Sequence, residues 1–496
     1  MCTASGARLH LHYGIALRRF ALLMLCALLT ACGGQQSHDD IRMALAQAPI
    51  NLDPRYASDA ASERINHLIY RPLVDFDEHF RPQPALADWQ LLGATHYRFT
   101  LLPQRSPFHD GSTLDAADVA ATYGSLLALK DSPHTAEFAN IQSIKVVDEN
   151  TVDFILHVPD DIFPSRLIIG ILPAEKVEAG HDFSRQPVGN GPLRFLAWQG
   201  VLQLERLADG QRFTLQEVKD PTVRVLKLLR GEVDLLQGDL LPELVRYLKQ
   251  QPEIRVDEVK GSNFSYLGFN LQDAQLAKPE VRRAIAHAID REALLREVLV
   301  GGSREAGSIL PPEHWAGHDA LPGYAYDPIL ARELLQQAGV ELPLKLTYKT
   351  STDAQRVRLA TVLQAQLREA GIALEILSLD WGTFFDDVKH GKFQLYGLTW
   401  VGIRTPEIYR LAFHSESVPP RGANRGRFQD AVTDQLVAQG DWRAVSERVH
   451  AMLPYVPLWY EGQFVAMRSN ISDYQVKADG SWDGLATVKK TVEKKR

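Results

Sequence analysis

Apolar residues along this chain recur with two periods, one of two and one near three and a half, and segments of each kind intermix. Tyr97, Phe99 and Leu101 alternate with polar neighbours and predict a half-buried strand. Val152, Phe154 and Leu156 predict a second strand face, although Ile155 interrupts the alternation. Between them Asp115 reads as a helix N-cap, with Asp118 in the first turn facing the positive end of the helix dipole. Val281, Ala284, Ile285, Ala288 and Ile289 fall on one helical face, and this helix is expected to run to the stop at Gly301-Gly302. A further helix is capped by Asp327 and opened by Pro328. It carries Ala331, Leu334, Leu335 and Ala338 on its inner face and is stopped by Gly339. Leu344 to Tyr348 alternate like a strand, residues 354–370 form an amphipathic helix closed by Gly371, and Ile372, Leu374 and Ile376 line another strand. Strand, helix and strand in that order predict a parallel βαβ unit. The chain contains neither an internal repeat nor a low-complexity block. The fold class expected is mixed α/β.

The N-terminal apolar run Ala21 to Leu29 follows Arg18 and Arg19 and ends in Thr30-Ala31-Cys32-Gly33-Gly34. A charged start, a short apolar stretch and a small-residue end mark a secretory signal; the run is too short for a permanent span. Leu29-Thr30-Ala31-Cys32 resembles a bacterial lipobox, which implies cleavage before Cys32 and acylation of its thiol and new amino group. More than one acyl chain gives stable anchoring. The alternative is an ordinary signal with an incidental cysteine. The expectation is a signal peptide over residues 1–31 and a flexible polar tether over 32–40. The folded chain is then lipid-anchored on the periplasmic side of a bacterial envelope, or at the cell surface if there is one membrane. Gly33 in place of Asp carries no common inner-membrane retention signal, and the choice of membrane stays open.

Composition narrows the function classes. All three cysteines, Cys2, Cys26 and Cys32, lie at the N-terminus, so the folded part has no disulfide, and cysteine-ligated zinc, iron–sulfur and thiol chemistry are excluded. The 496 residues are ample for two or three domains. The formal net charge of −7 becomes more negative once Arg8, Arg18 and Arg19 leave with the signal, which argues against a nucleic-acid partner. Lys489-Lys490 with Lys494-Lys495-Arg496 reads as a frayed, solvated end. The chain lacks a G-x-x-x-x-G-K-[ST] loop, an H-E-x-x-H pair, a G-x-S-x-G elbow and an EF-hand loop. His314 and His318 have a ligand-like spacing, but Pro311-Pro312 and Gly317 point to a loop. Asp386-Asp387 reads as an exposed helical turn. No metal, cofactor or catalytic residue is assigned.

Several segments, in order, resemble the family-5 extracellular solute-binding proteins, which serve peptide, nickel and related ABC importers. Asn51-Leu52-Asp53-Pro54 is similar to the L-D-P turn, Ile69-Tyr70-Arg71-Pro72-Leu73-Val74 to Y-x-P-L-V, and Pro84 to Trp89 to P-x-L-A-x-x-W, one residue shorter here. Phe108-His109-Asp110-Gly111 with Leu114, Ala116, Asp118 and Val119 is close to F-H-D-G-x-x-L-x-A-x-D-V. Gly189-Asn190-Gly191-Pro192 resembles G-T-G-P, with Asn replacing Thr. Gly231-Glu232-Val233-Asp234 matches G-E-V-D, and Val281 to Ile285 with Ala288 to Arg291 matches V-R-x-A-I…A-I-D-R. Most of these read as structural: His109 as fold-forming, Asp290 and Arg291 as a local ion pair, Gly189 and Gly191 as sites of tight backbone conformation. The resemblance implies a two-lobed periplasmic-binding-protein fold, class II-like of the type C cluster, with an extra domain inserted in the first lobe. Lobe 1 is expected over 41–75, 187–262 and 466–496, the inserted domain over 76–186 and lobe 2 over 263–465.

The resemblance further implies a ligand cleft between hinged lobes, a small-molecule or peptide ligand, and delivery to an ABC permease and its ATPase by a monomer tethered through Cys32. Candidate ligand contacts are Tyr56, Trp400, Arg404, Asn424 and Arg425. Oligopeptide-binding relatives commonly carry an aspartate between the tryptophan and proline of Trp400 to Pro406, where it pairs with the peptide ammonium; this chain has Arg404 and no aspartate. A cleft-facing Arg404 favours a carboxylate or phosphate; otherwise it is a surface arginine on a loop. Trp400 is a cleft wall or a core residue, Tyr56 lines the cleft or packs at core or hinge, and Asn424-Arg425 contacts ligand or orders its loop. Trp381 is expected in the core. A sensor or scaffold that presents its liganded form to a receptor is the alternative to transport, and a hydrolase the third class.

Overall fold

The computed structural model describes residues 40–299 and 301–491. The expected signal peptide, Cys32 and the expected tether up to residue 39 lie outside the described residues, as do the last five positions.

A single large sheet organises the chain. In chain order its main strands are β1 (Ile41–Leu45), β2 (Leu193–Gln199), β3 (Val201–Arg206), β4 (Arg212–Glu217), β5 (Leu235–Gln237), β6 (Ile254–Phe269), β7 (Leu344–Ser351), β8 (Ile372–Leu379), β9 (Leu395–Trp400) and β10 (Tyr455–Arg468). Across the sheet they run β8-β7-β9-β6-β10-β5-β1-β4-β3-β2. β6 and β10 are much longer than their neighbours because each serves both halves. Leu235 to Gln237 of β5 pair with the far end of β10, whereas Leu395 to Trp400 of β9 pair with the far end of β6. The β6–β10 ladder breaks between Val259 and Asn263, between the two halves. There Gly261 lies so close to the Glu461 carbonyl that a Cβ would stand 1.6 Å from its oxygen.

Buried side chains gather on either side of this break. Ile41, Met43, Leu52, Leu202, Leu215, Val465 and Trp482 pack in one cluster. Phe269, Ile285, Leu335, Leu346, Leu363 and Trp459 form another, on the β7–β8 side. A separate four-stranded sheet, Ala87–Gly93, His96–Leu101, Thr151–Leu156 and Ile141–Asp148, carries its own core of Phe99, Tyr123, Phe154 and Phe163. The expected strands at 97–101 and 152–156 are its two central members, and Tyr97, Phe99, Leu101, Val152, Phe154 and Leu156 are all buried.

The helices that bear on the sequence reading are α1 (Ala60–Ile69), α2 (Ala116–Ala128), α3 (Pro279–His287), α4 (Arg291–Glu297), α5 (Pro328–Gln337), α6 (Ala354–Glu369) and α7 (Trp381–His390). Asp115 caps α2 in a reciprocal box: it accepts from Ala117 and Asp118, while Asp118 accepts from the Asp115 amide. α5 starts at the Asp327 cap and stops before Gly339 at φ 66°. β7, α6 and β8 form the expected parallel unit, with Leu344 opposite Ile372.

Other expectations are corrected. The apolar face at 281–289 does not belong to one helix running to Gly301. The chain turns after His287, and Asp290 caps a second helix by accepting from the Ala293 amide at 2.9 Å. Arg291 is not paired with Asp290; it is buried and donates to the carbonyls of Ala286, Ile289, Tyr324 and Pro457. Trp381 is 58% exposed and stacks on Phe385 one turn on, because it opens α7 on the solvent side. Lys489 and Lys490 are not frayed: they pair with Ile471 and Ser472, and the Lys490 ammonium lies 3.2 Å from buried Asp234. Of the adjacent acids on α7, Asp387 pairs with Lys349 at 2.7 Å and Asp386 is the more exposed. As expected, His314 and His318 sit in a loop. His314 Nε2 donates to the Arg404 carbonyl, and His318 meets Glu447.

Candidate functional site

Three of the motif segments singled out in the sequence meet at the C-terminal end of α1. Asp59 starts the helix by accepting from the Ser62 amide, and Ala61, Ile65, Leu68 and Ile69 bury one face. The helix ends where Tyr70 becomes extended, two residues before Pro72. The turn 189–191 then clamps that end. The Gly191 amide donates to the Ile69 carbonyl at 2.7 Å, and the Arg71 amide donates to Asn190 Oδ1. His109 ties the Phe-His-Asp-Gly turn to the same place, its amide donating to the Gly189 carbonyl and its Nε2 to the Gly191 carbonyl. Burial holds its imidazole below the usual histidine range, consistent with a neutral ring that bonds carbonyls. Gly189 and Gly191 serve close approach rather than an unusual φ: a Cβ on Gly189 would stand 2.1 Å from the Ile69 oxygen. The Leu-Asp-Pro segment joins from the other side, where the Tyr70 hydroxyl donates to the Leu52 carbonyl.

The opposite face of α1, carrying Glu63, Asn66, His67 and Tyr70 at helical spacing, lines a cavity of about 480 Å³. Its other walls are Pro54 and Ser58, Phe76, His134 and Glu137, segment 165–170, segment 401–405, and Asp479 with Ser481. The volume lies within the range of small-ligand pockets, roughly 300–1,000 Å³.

Charges of both signs face this space. His67 bridges Asp483 at 2.8 Å and Asp75 at 3.6 Å. Burial opposes its charge, but hydrogen bonds to the two carboxylates outweigh that and raise it to about 9. Burial also opposes ionisation of Asp75, yet the His67 contact brings it down to about 2. This triad fastens α1 to the hairpin at Phe76 and to the C-terminal segment. Arg166 is similarly engaged, with Asp160 at 3.0 Å. Arg404 is held more loosely, 3.9 Å from Asp479, with its guanidinium over the Phe76 ring. Among the described residues, the Glu63 and Glu137 carboxylates have neither an ion-pair nor a hydrogen-bond partner. Water reaches both, yet burial by the surrounding protein raises both above the usual carboxylate range, only partly offset by His134 with Arg404 or Arg166. Among the described residues, no group of three or more His, Cys, Asp or Glu side chains is placed to hold a metal ion.

The five expected contact residues do not share one place. Arg404 lines the cavity. Trp400, at the end of β9, lies under the Arg425 guanidinium, 4.7 Å from its ring centre, and packs with the core around Tyr266 and Tyr396. Arg425 also donates to the Tyr266 hydroxyl. Asn424 is 1% exposed and orders its loop, donating to the His414 and Phe428 carbonyls and accepting from the Phe428 amide. The Tyr56 hydroxyl donates to Asp131, while its neighbours Pro54 and Ser58 line the cavity. Sequence reasoning missed Glu63, Asn66 and His67. Their signal was present: three polar residues at positions i, i+3 and i+4 of a helix whose other face is apolar.

Comparison with known proteins bears on the fold and the family. The model for "Bacterial extracellular solute-binding proteins, family 5 Middle" matches residues 79–417. The chain is 26% identical to Di/tripeptide-binding protein 2 of Pseudomonas aeruginosa over 92% of its own length and 96% of that protein. It superposes on the ABC transporter substrate-binding protein CtaP of Listeria monocytogenes with a TM-score of 0.81, covering 91% of this chain and 99% of that one at 22% identity. The Helicobacter pylori periplasmic binding protein DppA, solved with the peptide STSA, gives a TM-score of 0.75 at 24% identity, covering 91% and 98%.

Proposed function

The chain belongs to the family-5 bacterial extracellular solute-binding proteins and has their two-lobed α/β fold, and from this we propose that it captures peptides or peptide-like solutes and delivers them to an ABC permease. The observation that carries the reading is the cavity bounded by α1, segment 165–170 and segment 401–405, with Glu63 and Glu137 on one side of its charge balance and Arg404 on the other. A space that presents both signs suits a zwitterion better than a purely anionic cargo. The similarity to di- and tripeptide-binding proteins supports the same class.

The proposal includes the division expected from the sequence, with lobe 1 over 41–75, 187–262 and 466–496, an inserted domain over 76–186 and lobe 2 over 263–465. Segments 54–72 and 479–481 of the cavity wall then come from lobe 1, 76–170 from the inserted domain and 401–405 from lobe 2. Closure of the lobes about the β6–β10 crossing encloses the ligand. Cys32 carries the lipid that holds the protein, as a monomer, on the periplasmic side of the envelope.

Native mass spectrometry of the full-length chain, purified without refolding, tests the reading. A retained mass that fragments as a peptide is the expected result. An empty protein whose melting temperature does not move across a panel of di- and tripeptides overturns it.

A further inference from the structure

Asn66 stands out on the cavity wall. It is only 6% exposed, yet among the described residues neither its Oδ1 nor its Nδ2 has a hydrogen-bond partner. Buried polar side chains nearly always have one. This exception sits on the cavity wall, one turn from Glu63, whose carboxylate is likewise unpaired. Arg404 enters from segment 401–405. Its charge is close enough to act on Glu63, yet the two form no ion pair. An amide offers one acceptor and one donor together, the complement of a peptide group's N–H and C=O. Opposite charges on the walls of one small cavity complement the two ends of a short peptide.

We propose that this face of α1 reads the ligand: Asn66 pairs with a peptide group of a short, unblocked peptide, Glu63 takes its ammonium and Arg404 its carboxylate. The inference rests on the peptide-capture reading above. It places the ammonium contact on α1, outside the Trp400 to Pro406 segment, where this chain has no aspartate.

The test uses the full-length chain and a library of di- and tripeptides, each offered unblocked, N-acetylated and C-amidated, with affinities from calorimetry. The wild type prefers unblocked peptides over acetylated ones at least tenfold. Glu63→Gln reduces that preference to less than about threefold, because a charged hydrogen bond is lost while the shape is kept. Arg404→Gln does the same for the discrimination against amidated peptides. Asn66→Leu, nearly isosteric, weakens binding of all three forms about tenfold while the melting temperature of the free protein holds or rises, since no internal hydrogen bond is broken. A structural asparagine predicts the reverse, a lower melting temperature and unchanged affinity. An undiminished preference in Glu63→Gln, or wild-type affinity in Asn66→Leu, overturns this inference and leaves peptide capture standing. If the wild type binds no peptide in any form, the broader reading has failed and this one falls with it.

Discussion

At the scale of single residues, His67 is charged because of two carboxylates on other elements, Asp75 a few turns of chain away and Asp483 near the C-terminus. Its folded value of about 9 lies above the unfolded one. The stabilisation is therefore complete below about pH 6.5 and is lost as pH rises through 9. Asp75, held near 2, contributes stability above its unfolded value and loses it as pH falls through 2. The contact is therefore at full strength from about pH 4 to 6.5. A shift of this size corresponds to roughly 3 kcal/mol, counted once for the triad. Thermal melts of the wild type should fall between pH 6.5 and 9.5, and His67→Gln should remove this component of the fall. Glycine supplies a second contrast. Gly189→Ala drives a methyl into the Ile69 carbonyl and should cost roughly 3 kcal/mol. Gly111→Ala, at φ 91° in open space, should cost only about 1–2 kcal/mol for the left-handed backbone. Urea titrations of the pair separate crowding from conformation; equal losses would contradict the distinction.

At the scale of elements, capping decided more boundaries than periodicity did. The apolar period at 281–289 continues past the end of α3, so hydrophobicity alone carries the helix on. The turn is set by Asp290 accepting from Ala293, and by Arg291, whose guanidinium gathers carbonyls from both sides of the break. Arg282 does the same, donating to Leu276, Ala277, Met452 and Leu453. Burial holds both guanidiniums down, to about 10, and among the described residues neither has a carboxylate in ion-pair contact. Where the cap is local, the sequence reading was correct, as at Asp115 and Asp327. Asp115→Ala should destabilise by about 1 kcal/mol in chemical denaturation, since it removes the carboxylate that accepts from the Ala117 and Asp118 amides at the start of α2 and leaves the reverse bond, from the residue-115 amide to Asp118, in place.

At the scale of the whole molecule, the break in the β6–β10 ladder links the two halves of the sheet to the cavity. Ser262 donates to the Ala478 carbonyl, beside Asp479, and Asn263 accepts from the Gly402 amide, two residues from Arg404. At the same level Glu461 gathers Ser265, Thr399 and Arg356 onto one carboxylate oxygen. These contacts tie strands β6, β9 and β10 to helix α6. Glu461→Gln keeps the shape and removes the charge, and should cost about 1–3 kcal/mol for charged hydrogen bonds in a partly exposed site. If the network also sets how the halves meet, peptide affinity falls in the same variant; calorimetry beside urea denaturation measures both.

Much of this protein was legible in one dimension because much of its physics is local. The β7–α6–β8 unit, the strands at 97–101 and 152–156, and the caps at Asp115 and Asp327 follow from side-chain period and from hydrogen bonds that span a few residues. The family motifs were legible for the same reason: turns such as Phe108 to Gly111 and Gly189 to Pro192 are short and chemically distinctive. Arg404 could be singled out as a departure at one position. Only the tertiary structure decided that those turns converge on the end of α1, that His67 is ionised by Asp75 and Asp483, and that Trp400 lies beneath Arg425 rather than on the cavity wall. Burial, partner and charge state arise from contacts between different elements, many of them hundreds of positions apart, and no spacing rule along the chain encodes them. Asn66 is the clearest case: polar in sequence, buried and unpaired in the fold.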